Sequence, residues 1–154
     1  DALTMGAALE SQGQVVGILA DSLEKTIRPI EARAAIERGN LTLMTPYSPN
    51  AGFSVGAAMG RNKLIYALAN YAVVIASDVE KGGTWAGATE ALKAKWLPVF
   101  VVSSPDSPKG NQILIQKGGA PLPKPLDLQG LSFAEWLAHH ANDLPAQSIQ
   151  EKLL

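Results

Sequence analysis

Four short apolar runs, separated by stretches of helical length, constrain this chain more than any other feature. They are Val15-Val16-Gly17-Ile18-Leu19, Leu41-Thr42-Leu43-Met44-Thr45, Ala72-Val73-Val74-Ile75-Ala76 and Pro98-Val99-Phe100-Val101-Val102, and none contains a charged residue. Continuous apolar runs of this kind suit strands buried on both faces, as in a parallel sheet. Parallel neighbours need crossover connections, and each gap here carries a helical pattern. Helices are expected over Asp1–Glu10, ended by Gly13, and from Thr26 or Pro29 to Arg38, closed by Gly39-Asn40. Further helices are expected over Ala57–Ala69, Trp85–Lys95 and Asn111–Lys117. The alternation predicts an α/β fold: a parallel sheet with helices on both faces.

Such sheets bind ligands outside the carboxyl ends of their strands. The loops at that edge are Ala20–Lys25, Pro46–Gly56, Asp78–Thr84 and Ser103–Gly110. The second is long and holds Pro46, Pro49, Asn50, Gly52 and Gly56, a length that often marks function. Two features point to a bound anion. Arg61-Asn62-Lys63 is expected near a helix start, where Arg supplies a bidentate fork and Lys a point charge. Basic residues there oppose the helix dipole, which favours a functional reading over a solvated first turn. Gly82-Gly83-Thr84 follows a strand and opens a helix. Its glycines allow close backbone approach to a phosphate, and Thr84 caps or donates. A tight turn with a Thr N-cap is the plain alternative. Phe53 and Trp85 are candidates for stacking on a base, and equally for core packing.

The distribution of charge suits one basic face, and equally a mixed solvated surface. Between Glu37 and Asp78 there is no acid, while Arg38, Arg61 and Lys63 lie inside. Between Glu90 and Asp127 only Asp106 opposes Lys93, Lys95, Lys109, Lys117 and Lys124. The net charge of -1 argues against an indiscriminate nucleic-acid binder. The absence of cysteine excludes thiolate metal sites and Cys nucleophiles. Adjacent His139 and His140 point about 100° apart on a helix and cannot chelate together. With no other histidine, a Ser-His-Asp triad is not expected either. Asp21, Asp78, Glu80 and Glu90 are the carboxylates near the proposed site. No metal, cofactor or catalytic residue is expected. No apolar run reaches the roughly 18 residues of a membrane span, and a cytoplasmic location is expected.

From Pro121 the texture changes. Pro121, Pro123 and Pro125 predict a stiff linker. Ser132 with Glu135 three residues on predicts a capped amphipathic helix, with Phe133, Trp136, Leu137 and His140 on one face. The expected domains are 1–120 and a C-terminal segment, 121–154.

The residues resemble the DNA-processing protein A family (DprA, also called Smf). The likeness lies in Asp1 with Ala8-Leu9, Val15–Leu19, Gly39-Asn40-Leu41 and Arg61-Asn62-Lys63-Leu64-Ile65. It continues through Gly82-Gly83-Thr84-Trp85-Ala86-Gly87-Ala88, Pro98–Val101, Gly110-Asn111-Gln112-Ile113-Leu114-Ile115 and Gly118-Gly119-Ala120. The resemblance implies a Rossmann-like domain that binds single-stranded DNA, helps load a RecA-type recombinase, dimerises and performs no catalysis. It implies an anion pocket of Arg61, Asn62 and Lys63, a loop of Gly82, Gly83 and Thr84 beside it, and a further wall at Gly110-Asn111. That family carries an earlier strand with a G-S-R loop, so the domain is expected to be incomplete at its N-terminus, a divergent member or a fragment. The aromatic that the pattern places three residues before the arginine is Ala58 here, with Phe53 as the substitute. A related group, the LOG-like phosphoribohydrolases, shares an Arg-Lys helix motif and a Gly-Gly-x-Gly-Thr loop. Its glutamate would fall near Ala86 or Gly87, and Glu90 is a turn further on. A nucleotide-binding sensor is the third reading.

Overall fold

The computed structural model describes residues 2–142. Asp1, the first residue of the resemblance, and residues 143–154, the end of the expected C-terminal segment, lie outside them. The chain divides into two compact units, Asp1–Leu64 and Ile65–Leu154. Among the described residues the strands are parallel, as expected, and form two ladders: β1–β2 in the first unit and β3–β4–β5 in the second.

In the first unit α1 (Ala2–Glu10) leads into β1 (Val15–Ile18), and the short α2 (Leu23–Thr26) and α3 (Ile30–Glu37) lead into β2 (Leu41–Met44). The register runs from Val15 opposite Leu41 to Ile18 opposite Met44. Gly39 turns the chain with φ +76, and the Asn40 carboxamide donates to the Gln12 and Gly13 carbonyls. Met5, Ala8 and Leu9 of α1 and Ala32 and Ala35 of α3 pack on Val15, Leu41 and Leu43. Gly17 admits this packing, because a Cβ there would lie 2.9 Å from the Met5 methyl. Helices therefore cover the Val15 face. On the other face Val16 is 60% exposed. The segment expected as a loop at 20–25 contains α2, capped by Ser22, whose hydroxyl accepts from the Lys25 N–H.

The second unit begins at Ile65, within the last turn of α4 (Val55–Leu68). It holds β3 (Ala72–Val74), α5 (Gly82–Ala94), β4 (Val99–Ser103), α6 (Lys109–Gln116), β5 (Ala120–Pro123) and α7 (Phe133–Ala141). Here helices do cover both faces. Ala88 and Ala91 of α5 and Leu114 of α6 pack on Val74, Val99 and Val101. Trp136 and Leu137 of α7 pack on Phe100 and Leu122 from the other side. Phe100 and Trp136 lie 6.0 Å apart, ring centre to ring centre, and the His140 ring stacks on Trp136 at 3.8 Å.

The expected linker at Pro121–Pro125 is a strand through Pro123. Alternate residues of a strand direct their N–H groups to opposite sides, so Pro121 and Pro123 lack donors on a single side. That side is the outer edge of the sheet, where proline is tolerated and discourages further pairing. The C-terminal helix forms as expected, with a full capping box between Ser132 and Glu135.

Candidate nucleic-acid interface

Each unit carries its own set of the sequence-predicted residues. In the first, Arg61, Asn62 and Lys63 lie on α4, but not at its start. The Ser54 hydroxyl accepts from the Ala57 N–H at 3.0 Å, and the helix begins at Val55. Arg61 is the seventh helical residue, so the dipole argument for an anion there does not apply. A local cap two turns upstream was the stronger signal. Arg61 is half-buried, and its Nη1 donates to the carbonyl of Ile18, the last residue of β1. Its Nε is buried and unpartnered. The guanidinium therefore sits at the carboxyl end of β1 with one donor committed to the strand. Lys63 is exposed and Asn62 half-buried.

The 46–54 segment is tied down rather than loose. The Thr45 hydroxyl donates to the Leu19 carbonyl at 3.1 Å, and the Tyr47 hydroxyl to the Ala57 carbonyl at 2.8 Å. The Ser22 hydroxyl donates to the Pro49 carbonyl at 3.2 Å. Phe53, just before the capping serine, is 68% exposed.

In the second unit the glycine turn is itself the first turn of α5. Lys81 is the N-cap, in extended conformation and with no side-chain cap bond, and Gly82 follows with φ +77, which only glycine adopts without strain. Thr84 thus sits at the third helical position and is not the cap. Gly82, Gly83 and Thr84 are exposed. Trp85 is half-buried and packs on the Val74–Val99 cluster. Burial first, and the charge of Glu90 on α5 second, push the Tyr66 hydroxyl up to about 12.

Asn111 is fully buried, and its neighbour Gly110 is buried against the Ser77 carbonyl. The Asn111 Oδ1 accepts from the Ser77 N–H at 2.9 Å. Its Nδ2 donates to the Ile75 carbonyl at 2.9 Å and the Val102 carbonyl at 2.8 Å.

Beside these residues a cleft of about 460 Å³ opens at the carboxyl ends of β3 and β4. Asp78, Val79, Lys81, Pro108, Lys109 and Gly110 line it. Lys81 and Lys109 stand at the starts of α5 and α6, where partial positive charge accumulates. Both lysines are exposed, and neither pairs with another described residue. Neither lysine is among the residues that the sequence points to as a site. The available signal was positional: each cation directly precedes a glycine at a helix start that follows a parallel strand. Among the described residues no group of three His, Asp or Glu side chains is placed to hold a metal, and no helix is long and apolar enough to cross a membrane.

The sequence profile of the DNA recombination-mediator protein A family matches residues 1–128. Two solved structures share the fold. DNA processing protein A (DprA) from Streptococcus pneumoniae is 19% identical with a TM-score of 0.62, the match covering 79% of this chain and 44% of that one. DNA processing protein A from Helicobacter pylori, which binds single-stranded DNA, is 18% identical with a TM-score of 0.57, the match covering 84% of this chain and 57% of that one. This chain thus spans about half the length of either. No curated protein sequence matches it.

Proposed function

The chain belongs to the DNA recombination-mediator protein A family, and on that basis we propose that it binds single-stranded DNA through its phosphates, without catalysing a reaction on it. The observation that carries this reading is the cleft at the ends of β3 and β4. Two lysines, without an ion-pair partner among the described residues, flank it at two helix starts. Lysine serves as a point charge for phosphate, and a helix N-terminus adds oriented N–H groups. Val79 and Pro108 supply apolar wall, and Asp78 offers a carboxylate acceptor to a base N–H. A site of this chemistry follows the backbone rather than the base sequence. In the first unit Arg61 keeps donors beyond the one given to Ile18, and with Lys63 it forms the second cationic element of the proposal. Phe53 is the exposed aromatic for stacking. Loading of a RecA-type recombinase, homodimerisation and a cytoplasmic location complete the proposed role.

Fluorescence anisotropy of a labelled oligothymidylate, titrated across salt, tests the reading. Affinity falls steeply with salt, and Lys81→Ala and Lys109→Ala each reduce the log–log slope by about 0.7, the value for one single-strand phosphate contact. Arg61→Ala weakens binding as well. No binding at low salt sinks the proposal. Release of free base from nucleoside monophosphates, lost in Glu90→Gln, would instead select the phosphoribohydrolase reading.

A further inference from the structure

We infer that Asn111 is a positioning residue of the cleft, which joins its two walls without touching the ligand. The inference rests on the cleft being the anion site. One wall is the segment 78–81, just past β3, and the other is 108–110, at the start of α6. Asn111 is rooted in the second wall's helix and bonds the backbone that leads into the first. A carboxamide has two N–H donors, and both are committed here, to Ile75 and Val102. Its oxygen holds the N–H of Ser77, itself buried, one residue before the first wall begins. No donor remains for a phosphate. The Ser77 hydroxyl continues the tie by donating to the Asp78 carbonyl at 3.2 Å. Gly110 makes the approach possible, since a Cβ there would overlap the Ser77 carbonyl. A single side chain thus fixes the spacing between the Lys81 and Lys109 walls. Aspartate at this position keeps the acceptor and loses both donors. Alanine takes the side-chain partner from the Ile75 carbonyl and from the N–H of buried Ser77, while the Val102 carbonyl still accepts from the Ser107 hydroxyl at 3.2 Å.

The test uses the whole chain and the same oligothymidylate across salt. Asn111→Ala weakens binding about tenfold and lowers the salt slope, because the lysines no longer act together. In the Lys81→Ala/Lys109→Ala background the same change adds little, as coupled residues require. Asn111→Asp binds poorly at pH 8 and regains affinity relative to the parent toward pH 5, where the protonated acid again donates to a carbonyl. A loss at Asn111→Ala that leaves the salt slope unchanged and adds in full to the lysine changes would mark a direct ligand and overturn the inference. Parent-like binding by Asn111→Ala overturns it too. If Asn111→Ala does not fold, Asn111→Asp decides, and a defect flat with pH, or none, counts against positioning. Failure of the parent to bind removes the cleft reading and this inference together. When the parent binds and the lysine variants weaken it, the Asn111 results judge the inference alone.

Discussion

Phe100, in the middle strand of the second unit's sheet, is fully buried, whereas Val16, in β1 of the first unit, is 60% exposed. Both belong to short apolar runs with the same sequence signature. The difference lies in cover. Among the described residues the second unit has three strands with helices on each face, α5 and α6 on one and α7 on the other. The first has two strands, with α1 and α3 on one face. A two-stranded sheet buries little by itself, and the first unit compensates with polar ties: Ser22 to Pro49, Thr45 to Leu19, Tyr47 to Ala57 and Arg61 to Ile18. The Lys81–Lys109 cleft is therefore mounted on an apolar core, and Arg61 on a hydrogen-bonded scaffold.

The largest test of this contrast removes a core side chain from each unit. Phe100→Ala should cost about 3–5 kcal/mol, as fully buried aromatics do, and Leu41→Ala about 2 kcal/mol, the low end for a leucine whose small cluster has room to relax. Urea melts give the magnitudes. Amide exchange, read strand by strand, should accelerate across β3–β5 in the first variant and in β1–β2 in the second. Equal costs at the two positions would break the comparison.

The four apolar runs were legible because parallel strands leave a continuous apolar signature, and all four are strands. The edge strand β5 was not, because Pro121 and Pro123 read as a linker unless the chain is known to lie at a sheet edge. The capping box at Ser132 and Glu135 was legible because it is local: both partners lie within four residues. The start of α4 was misplaced although Ser54 is an ordinary cap, because the glycines at 52 and 56 drew the loop too far. Asn111 shows the deeper limit. Its three partners lie 9, 34 and 36 residues away, so nothing in the local sequence separates a buried staple from a ligand contact. Lys81 and Lys109 share that difficulty, since only the fold brings 78–81 and 108–110 to one cleft.

A smaller effect should appear in alkali and only in the second unit. Burial, with the Glu90 charge as a secondary cause, moves the Tyr66 hydroxyl from its ordinary 10.0 to about 12. A raised folded-state value means that the contribution is fully present below pH 10 and is lost as the pH climbs toward 12. Urea midpoints between pH 8 and 12 should therefore fall for the parent, and less steeply for Tyr66→Phe. Tyr66 packs on the Val74–Val99 cluster beside Trp96, so exchange should rise there first. An equal alkaline slope in both proteins would locate the weakness elsewhere.

The smallest expected effect asks how much the second unit depends on the cover that distinguishes it. Ser132 and Glu135 cap α7 reciprocally: the Glu135 N–H donates to the Ser132 hydroxyl at 3.2 Å, and the Ser132 N–H donates to the Glu135 carboxylate at 2.8 Å. Ser132→Ala should cost about 1 kcal/mol, less than a core deletion because Trp136 and Leu137 still anchor the helix. Hydrogen bonding from Ser132, through its side chain first and its backbone second, holds the Glu135 carboxyl below its ordinary 4.5. A depressed value contributes stability above that pH, and the contribution is lost as pH falls through the lowered value. The gap between parent and Ser132→Ala should accordingly be constant near neutrality and narrow in acid below pH 4.5, the bond from the Glu135 N–H to the hydroxyl remaining. Thermal melts at a series of pH values measure it. A gap that persists undiminished in acid would mean that the hydroxyl acts without its carboxylate partner, and that the cover over Phe100 depends on burial alone.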